Sequence, residues 1–137
     1  MNGKRFFSHG LILLCVVLLA CSGTGQRAEI EKLTAQVTSL HDEVMPLMGP
    51  LYKTRKRLLL QAEADSSNVQ LVNAILNIKS AEEEMMKWMR NYDPGFEGAN
   101  DSETMKYFSD QKKSIEQVSA SMNQAMANGK SILNRRP

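Results

Sequence analysis

Apolar side chains return at alternating intervals of three and four along one stretch of the chain: Ile30, Leu33, Val37, Leu40, Val44, Leu47, Leu51, Thr54 and Leu58. Only an α-helix brings such positions onto one narrow seam, and a seam of this kind packs lengthwise against other helices. Thr54 is its one polar member. Pro46 and Gly49-Pro50 interrupt the run. A proline inside a helix loses a hydrogen bond and clashes with the preceding turn, so a kink or break is expected there.

The spacing predicts a first helix over 28–64. Asp65-Ser66-Ser67 marks a turn, and Ser67 with Gln70 has the spacing of a capping box that opens a second helix over 67–92. Its inner face is expected to hold Leu71, Ile75, Ile78, Met85, Met89 and Tyr92, with Ala74, Ala81 and Trp88 alongside. Glu82 also falls on that face, where it can turn inward toward Lys53 or Arg55. Asp93-Pro94-Gly95 stops this helix. Asp101 or Ser102 is expected to cap a third, over 102–134, that buries Phe108, Gln111, Ile115, Val118, Met122, Ala125, Gly129 and Ile132. No run alternates with strand period. The expected fold is all-α, an antiparallel three-helix bundle running up, down and up, with a kinked first helix. Counted from the first turn, residues 28–38 overhang the hairpin by about 15 Å at 1.5 Å per residue. Ile30, Leu33 and Val37 in that overhang need cover: from the 93–101 loop, from a second copy in a homo-oligomer, or from another partner.

Residues 1–20 read as a secretory leader. Lys4 and Arg5 precede an uncharged apolar run over 11–19, which is too short to span a bilayer. The run ends Leu18-Leu19-Ala20-Cys21, followed by Ser22-Gly23-Thr24-Gly25. This is similar to the bacterial lipobox, in which a small residue fits the peptidase and the cysteine thiolate accepts a diacylglyceryl group before cleavage. That similarity makes Cys21 the lipidation site and 21–27 a tether ahead of the bundle at 28–137. It also implies three acyl chains, where a single one would hold only marginally. No acidic residue follows Cys21 closely, which points to the periplasmic face of the outer membrane. The chain carries +2, and the leader removes two bases and no acid. The remainder is neutral, so nucleic acid is not an expected partner. With Cys15 in the leader and Cys21 acylated, no disulfide framework is available.

Eight of the nine methionines lie beyond the leader. On the first helix His41, Met45, Met48 and Tyr52 share a stripe beside the seam. Folding about the two turns brings His41, Met45, Met85, Met89 and Met105 toward one end of the bundle, with Trp88 close by, and Met48 of the stripe completes the candidate ligands. Thioether and imidazole ligands together suit Cu(I) and not hard cations, and an aromatic ring beside such an ion adds cation–π stabilisation. The alternative is packing, since methionine fills irregular gaps in helical cores. Glu82-Glu83-Glu84 reads as a solvated patch beside Lys79, Lys87 and Arg90. One histidine beyond the leader, no free thiol, no G-x-S-x-G and no P-loop leave no recognised catalytic constellation, and enzymatic activity is not expected.

The run His41-Asp42-Glu43-Val44-Met45-Pro46-Leu47-Met48-Gly49, the run Glu84-Met85-Met86-Lys87-Trp88-Met89 and the stretch from Tyr107-Phe108 to Lys113 resemble a family of small helical lipoproteins from Bacteroidetes, often labelled "viral A-type inclusion protein". The resemblance covers nearly the whole chain after the leader. It implies envelope localisation and helical form, no established activity and nothing viral, and it carries both methionine-rich segments over as candidate functional surface. The sequence therefore suggests a non-enzymatic, membrane-anchored binding or structural module, with a Cu(I)-handling lipoprotein as the alternative.

Overall fold

The computed structural model describes residues 21–65 and 67–135, and the leader expected at 1–20 lies outside the described residues. Helix α1 (Cys21–Val44) passes through one turn of 3-10 helix (Met45–Leu47) into α2 (Met48–Ala64). Helix α3 (Val69–Asn91) runs back, and α4 (Asp101–Asn134) runs forward again. The architecture is an all-α bundle of three antiparallel rods, the first of them bent. α1 packs along α4, while α2 packs against both α3 and α4.

The bend has a local cause. Pro46 brings no N–H to the helical ladder, and the backbone tightens to 3-10 geometry around it, with Leu47 at φ −71°, ψ −18°. Pro50 falls in the first turn of α2, where a missing N–H costs little. The seam keeps its phase across the turn. Val37, Val44, Leu51 and Leu58 follow at intervals of seven, all essentially buried, with Leu40, Leu47 and Thr54 between them.

Opposite this seam, α3 presents Leu71, Ala74, Ile78, Ala81, Met85 and Trp88, and α4 presents Phe108, Ile115, Val118, Met122, Ala125, Met126 and Gly129. Ala74, Ala81 and Trp88 therefore sit on the α3 seam itself. Ile75, Met89 and Tyr92 are displaced to its half-buried flank.

Three sequence expectations are corrected. First, residues 23–27 are not a loose tether, because α1 is helical from Cys21 onward. Second, the helix caps are asparagines one residue from the expected positions. Asn68 Oδ1 accepts from the Leu71 N–H at 3.2 Å, while Ser67 Oγ donates to Asp65. Asn100 Oδ1 accepts from the Glu103 N–H at 3.0 Å, and Glu103 accepts in return from the Ala99 N–H. Third, Val37 is no part of an uncovered overhang: it is fully buried in the core of the single chain. α4 begins far enough along to lie beside α1, with Asp101 paired to Arg27 at 3.7 Å. Ile30 and Leu33 are half-buried.

Gly129 lets the helices approach closely. A Cβ there would stand 2.8 Å from Thr54 Cγ2 and 2.9 Å from Ile78 Cδ1. Thr54 is the buried polar member of the seam, and its hydroxyl donates to the Met126 thioether at 3.6 Å. Being β-branched, it has little rotamer freedom with which to move aside. Gly49, by contrast, faces open space. Gly129→Val is expected to cost about 1–3 kcal/mol through overpacking, read as a lower urea midpoint, whereas Gly49→Ala should leave that midpoint unchanged or raise it.

Candidate functional site

The site builds outward from His41. It lies on the flank of α1 that faces α3, with its side chain about a third exposed. Nδ1 meets Asp42 Oδ1 at 2.9 Å, which turns the Nδ1–H tautomer toward the carboxylate and leaves Nε2 as the open acceptor. The imidazole stacks on Trp88, with ring centres 5.8 Å apart and planes 27° from parallel. Trp88 stacks in turn on Tyr92 at 4.7 Å, one helical turn on. Tyr92 meets the edge of Phe108 at 6.5 Å, Phe108 meets Tyr107 at 5.2 Å, and Tyr107 stacks on Phe96 at 4.1 Å. All the aromatic residues beyond the leader except Tyr52 join this chain of rings. It ties α1, α3, the 92–100 segment and α4 together where α3 ends. Tyr107 closes the tie by accepting the Asp93 N–H at 2.7 Å.

Two polar atoms within the chain of rings are buried without a hydrogen-bond partner, Trp88 Nε1 and the Tyr92 hydroxyl. Burial pushes the Tyr92 phenol above its usual pKa; Thr38, which faces it, pulls the other way, and Tyr107 and Asp93 add to the rise. The Thr38 hydroxyl is itself turned to the Thr34 carbonyl at 3.0 Å.

The sequence brings six candidate ligands together, and the structure divides them. The Arg55–Glu82 ion pair, at 2.9 Å with both side chains largely buried, and the His41–Trp88 stack both tie the first rod to α3. The stack brings the turn of α3 that holds Met89 to the end of α1, and Met45 stands one turn beyond His41. Met45, Met48 and Met89 are half-buried and pack against the core, while Met85 lies wholly within it. Met105 is half-buried in the first turns of α4, one turn ahead of Phe108. Glu82 has turned inward toward Arg55 and not Lys53. Among the described residues no group of three or more His, Cys, Asp or Glu side chains could hold a metal, so the thioethers are indispensable to any soft-metal site here.

Beside the rings runs a groove of about 1100 Å³ between α1 and the 92–100 segment. Ile30, Ala35, Phe96 and Phe108 contribute its apolar lining; Glu31, Asp42, Glu97 and Asp101 contribute carboxylates against the single cation Arg27. The 92–100 segment thus covers the overhang from one side without closing on it. Gly98 holds the segment against α4, since a Cβ there would come 2.6 Å from Glu103 Cβ, and its N–H donates to Thr104 Oγ1 at 2.9 Å. Sequence reasoning missed a second apolar surface. Leu60, Val69 and Leu76 near the α2–α3 turn are each more than half exposed, and the only sign of them in the sequence is that they fall outside the seam.

No protein family profile matches the chain, and no curated protein or solved structure does. Its function is therefore argued from the site itself.

The Tyr92 hydroxyl yields a test of the site's electrostatics. Its folded pKa is raised, so below the unfolded value near 10 it adds no pH dependence. Above that value the unfolded chain loses the proton first and stability falls. Tyr92→Phe should leave stability at pH 7 equal or higher by up to about 1 kcal/mol, because it removes an unpaired buried hydroxyl. Denaturant titrations at pH 7 and above pH 10 should show a smaller alkaline loss for the variant.

Proposed function

We propose that this chain is a lipoprotein held through acylated Cys21 at the periplasmic face of the outer membrane. There it acts as a non-enzymatic binding module whose receptor surface is the groove between α1 and the 92–100 segment. The observation that carries the reading is continuity. The helix that begins at Cys21 is the one that forms a wall of the groove, and the groove opens at Arg27, less than two helical turns on. At 1.5 Å per residue a lipid on Cys21 would hold the groove about 9 Å from its attachment point. The resemblance to the Bacteroidetes lipoproteins and the lipobox-like Leu18-Leu19-Ala20-Cys21 support the anchor. No described helix is long and apolar enough to cross a membrane, so among the described residues the attachment rests on the lipid.

The lining gives the partner its chemistry. Arg27 is paired with Asp101 and Asp42 is turned to His41, which leaves Glu31 and Glu97 to face a partner from the groove lining. A segment of an envelope protein that carries both basic and apolar side chains fits such a surface. Charge complementarity of this kind sets specificity and association rate.

The reading predicts that Cys21→Ser moves the protein from the membrane pellet to the soluble fraction and that its intact mass lacks the acyl chains. Glu31→Lys with Glu97→Lys should leave the protein in the membrane, with unchanged circular dichroism, and abolish co-purification of an envelope partner. Retention of the Cys21→Ser variant in the pellet would refute the anchor. An unchanged set of co-purifying proteins would refute the groove.

A further inference from the structure

We infer that the bend between α1 and α2, with the facing turn of α3, is a binding site for a monovalent soft metal ion, Cu(I). Its ligands are His41 Nε2 and the thioethers of Met45 and Met89, with Met48 next in reach and Trp88 as the aromatic wall. The site does not depend on the lipid anchor or on the groove.

Three observations carry it. The imidazole is oriented as a ligand is. Asp42 holds Nδ1 at 2.9 Å, as a carboxylate does behind a ligating histidine, which fixes the ring and leaves Nε2 for the ligand. The ring also lies partly exposed against Trp88, so Nε2 is neither buried in the core nor claimed by another hydrogen bond among the described contacts. The methionines are placed to reach it. Met45 is the one-turn neighbour of His41, Met48 lies one further turn on, and Met89 follows Trp88, whose ring is stacked on His41. Finally, these three thioethers occupy a half-buried flank, unlike Met85 and Met122, which are fully enclosed. A half-buried methionine has three rotatable bonds and room to swing its sulfur without opening a cavity.

The donor set selects the ion. One imidazole and two or three neutral thioethers provide no negative charge, so they cannot compensate a divalent hard cation, whereas soft sulfur donors favour Cu(I). The face of Trp88 next to the site adds attraction for a cation. The bend contributes as well. Because Pro46 replaces one turn of α-helix by 3-10 geometry, the backbone beside Met45 is already distorted and no regular turn need break when the ligands gather.

The test is an anaerobic titration of the full chain in detergent with Cu(I) under ascorbate, against bicinchoninate as a competing chelator. The expected result is one Cu(I) withheld per chain, with quenching of Trp88, the only tryptophan. His41→Ala and Met89→Leu should each weaken retention by more than the roughly tenfold loss expected of Asp42→Ala, which removes only the orienting carboxylate. Met105→Leu should change nothing. Methionine-to-leucine changes conserve volume, so the fold is retained even where the histidine variant is unstable. The assignment is overturned by retention no better than the chelator permits, by binding that survives Met45→Leu with Met89→Leu, or by binding that leaves Trp88 emission untouched. Equal retention of Zn(II) overturns it as well.

Discussion

The structure depends on a seam that keeps its phase through two prolines. Val37, Val44, Leu51 and Leu58 stand at intervals of seven on either side of the 3-10 turn and are all buried. A full break at Pro46 would have rotated α2 relative to α1 and pointed the two halves at different neighbours. With the phase kept, the flank next to the seam is also continuous. His41, Met48 and Arg55, again seven apart, all face α3, one through a ring stack and another through an ion pair. The candidate site is thus a consequence of seam continuity, and the prolines supply its local irregularity. The Arg55–Glu82 pair contributes orientation more than stability, since removing two largely buried charges from water offsets most of their attraction.

The two ends of the bundle are built differently. Where α3 ends the contacts are aromatic, and each ring pair contributes about 0.5–1.5 kcal/mol beyond the area it buries. Near the α2–α3 turn the contacts are aliphatic and close. Ala74 and Gly129 let the helices approach until Thr54 and Ile78 touch the backbone of α4. The rings leave unsatisfied polar atoms at Trp88 and Tyr92, a cost that a core chosen only for stability would avoid by using phenylalanine and leucine. The same end holds the histidine, the half-buried methionines and the groove. Concentration of local irregularities in one region is the pattern expected where function and not packing sets the residue types.

Much of this was legible in the sequence. The seam from Ile30 to Leu58, the α4 face from Phe108 to Gly129 and the fold class follow from periodicity alone, because burial of a narrow stripe has only one solution at this length. The solvated-patch reading of Glu82-Glu83-Glu84 fails at Glu82, which takes the alternative inward turn because a carboxylate on an apolar face needs a cation within reach. What was not legible depends on loop geometry. Placing Met105 with the other methionines assumes a tight second turn. The 92–100 segment instead runs beside α1, and α4 starts at Asp101 opposite Arg27. The caps at Asn68 and Asn100 were missed because neighbouring Ser67, Asp101 and Ser102 have similar capping strength, and only tertiary position selects among them. Helicity over 23–27 was hidden by Gly23 and Gly25, whose unfavourable propensity is outweighed by continuity with the long helix that follows.

The abundance of methionine is best judged by where each one sits. Met85, Met122 and Met126 are core residues, and their flexibility suits gaps left between Ala74, Ala81, Ala125 and Gly129. Packing accounts for them fully. It accounts less well for Met45, Met48 and Met89, which lie on a flank where leucine or isoleucine would bury the same area with a smaller loss of side-chain entropy. Ile75 and Ala62, at the equivalent flank positions further along the same pair of rods, show that the fold accepts ordinary aliphatic residues there. The thioethers replace them only in the turns adjoining His41. That restriction to one neighbourhood, on two separate segments of the chain, is the placement on which the Cu(I) proposal rests.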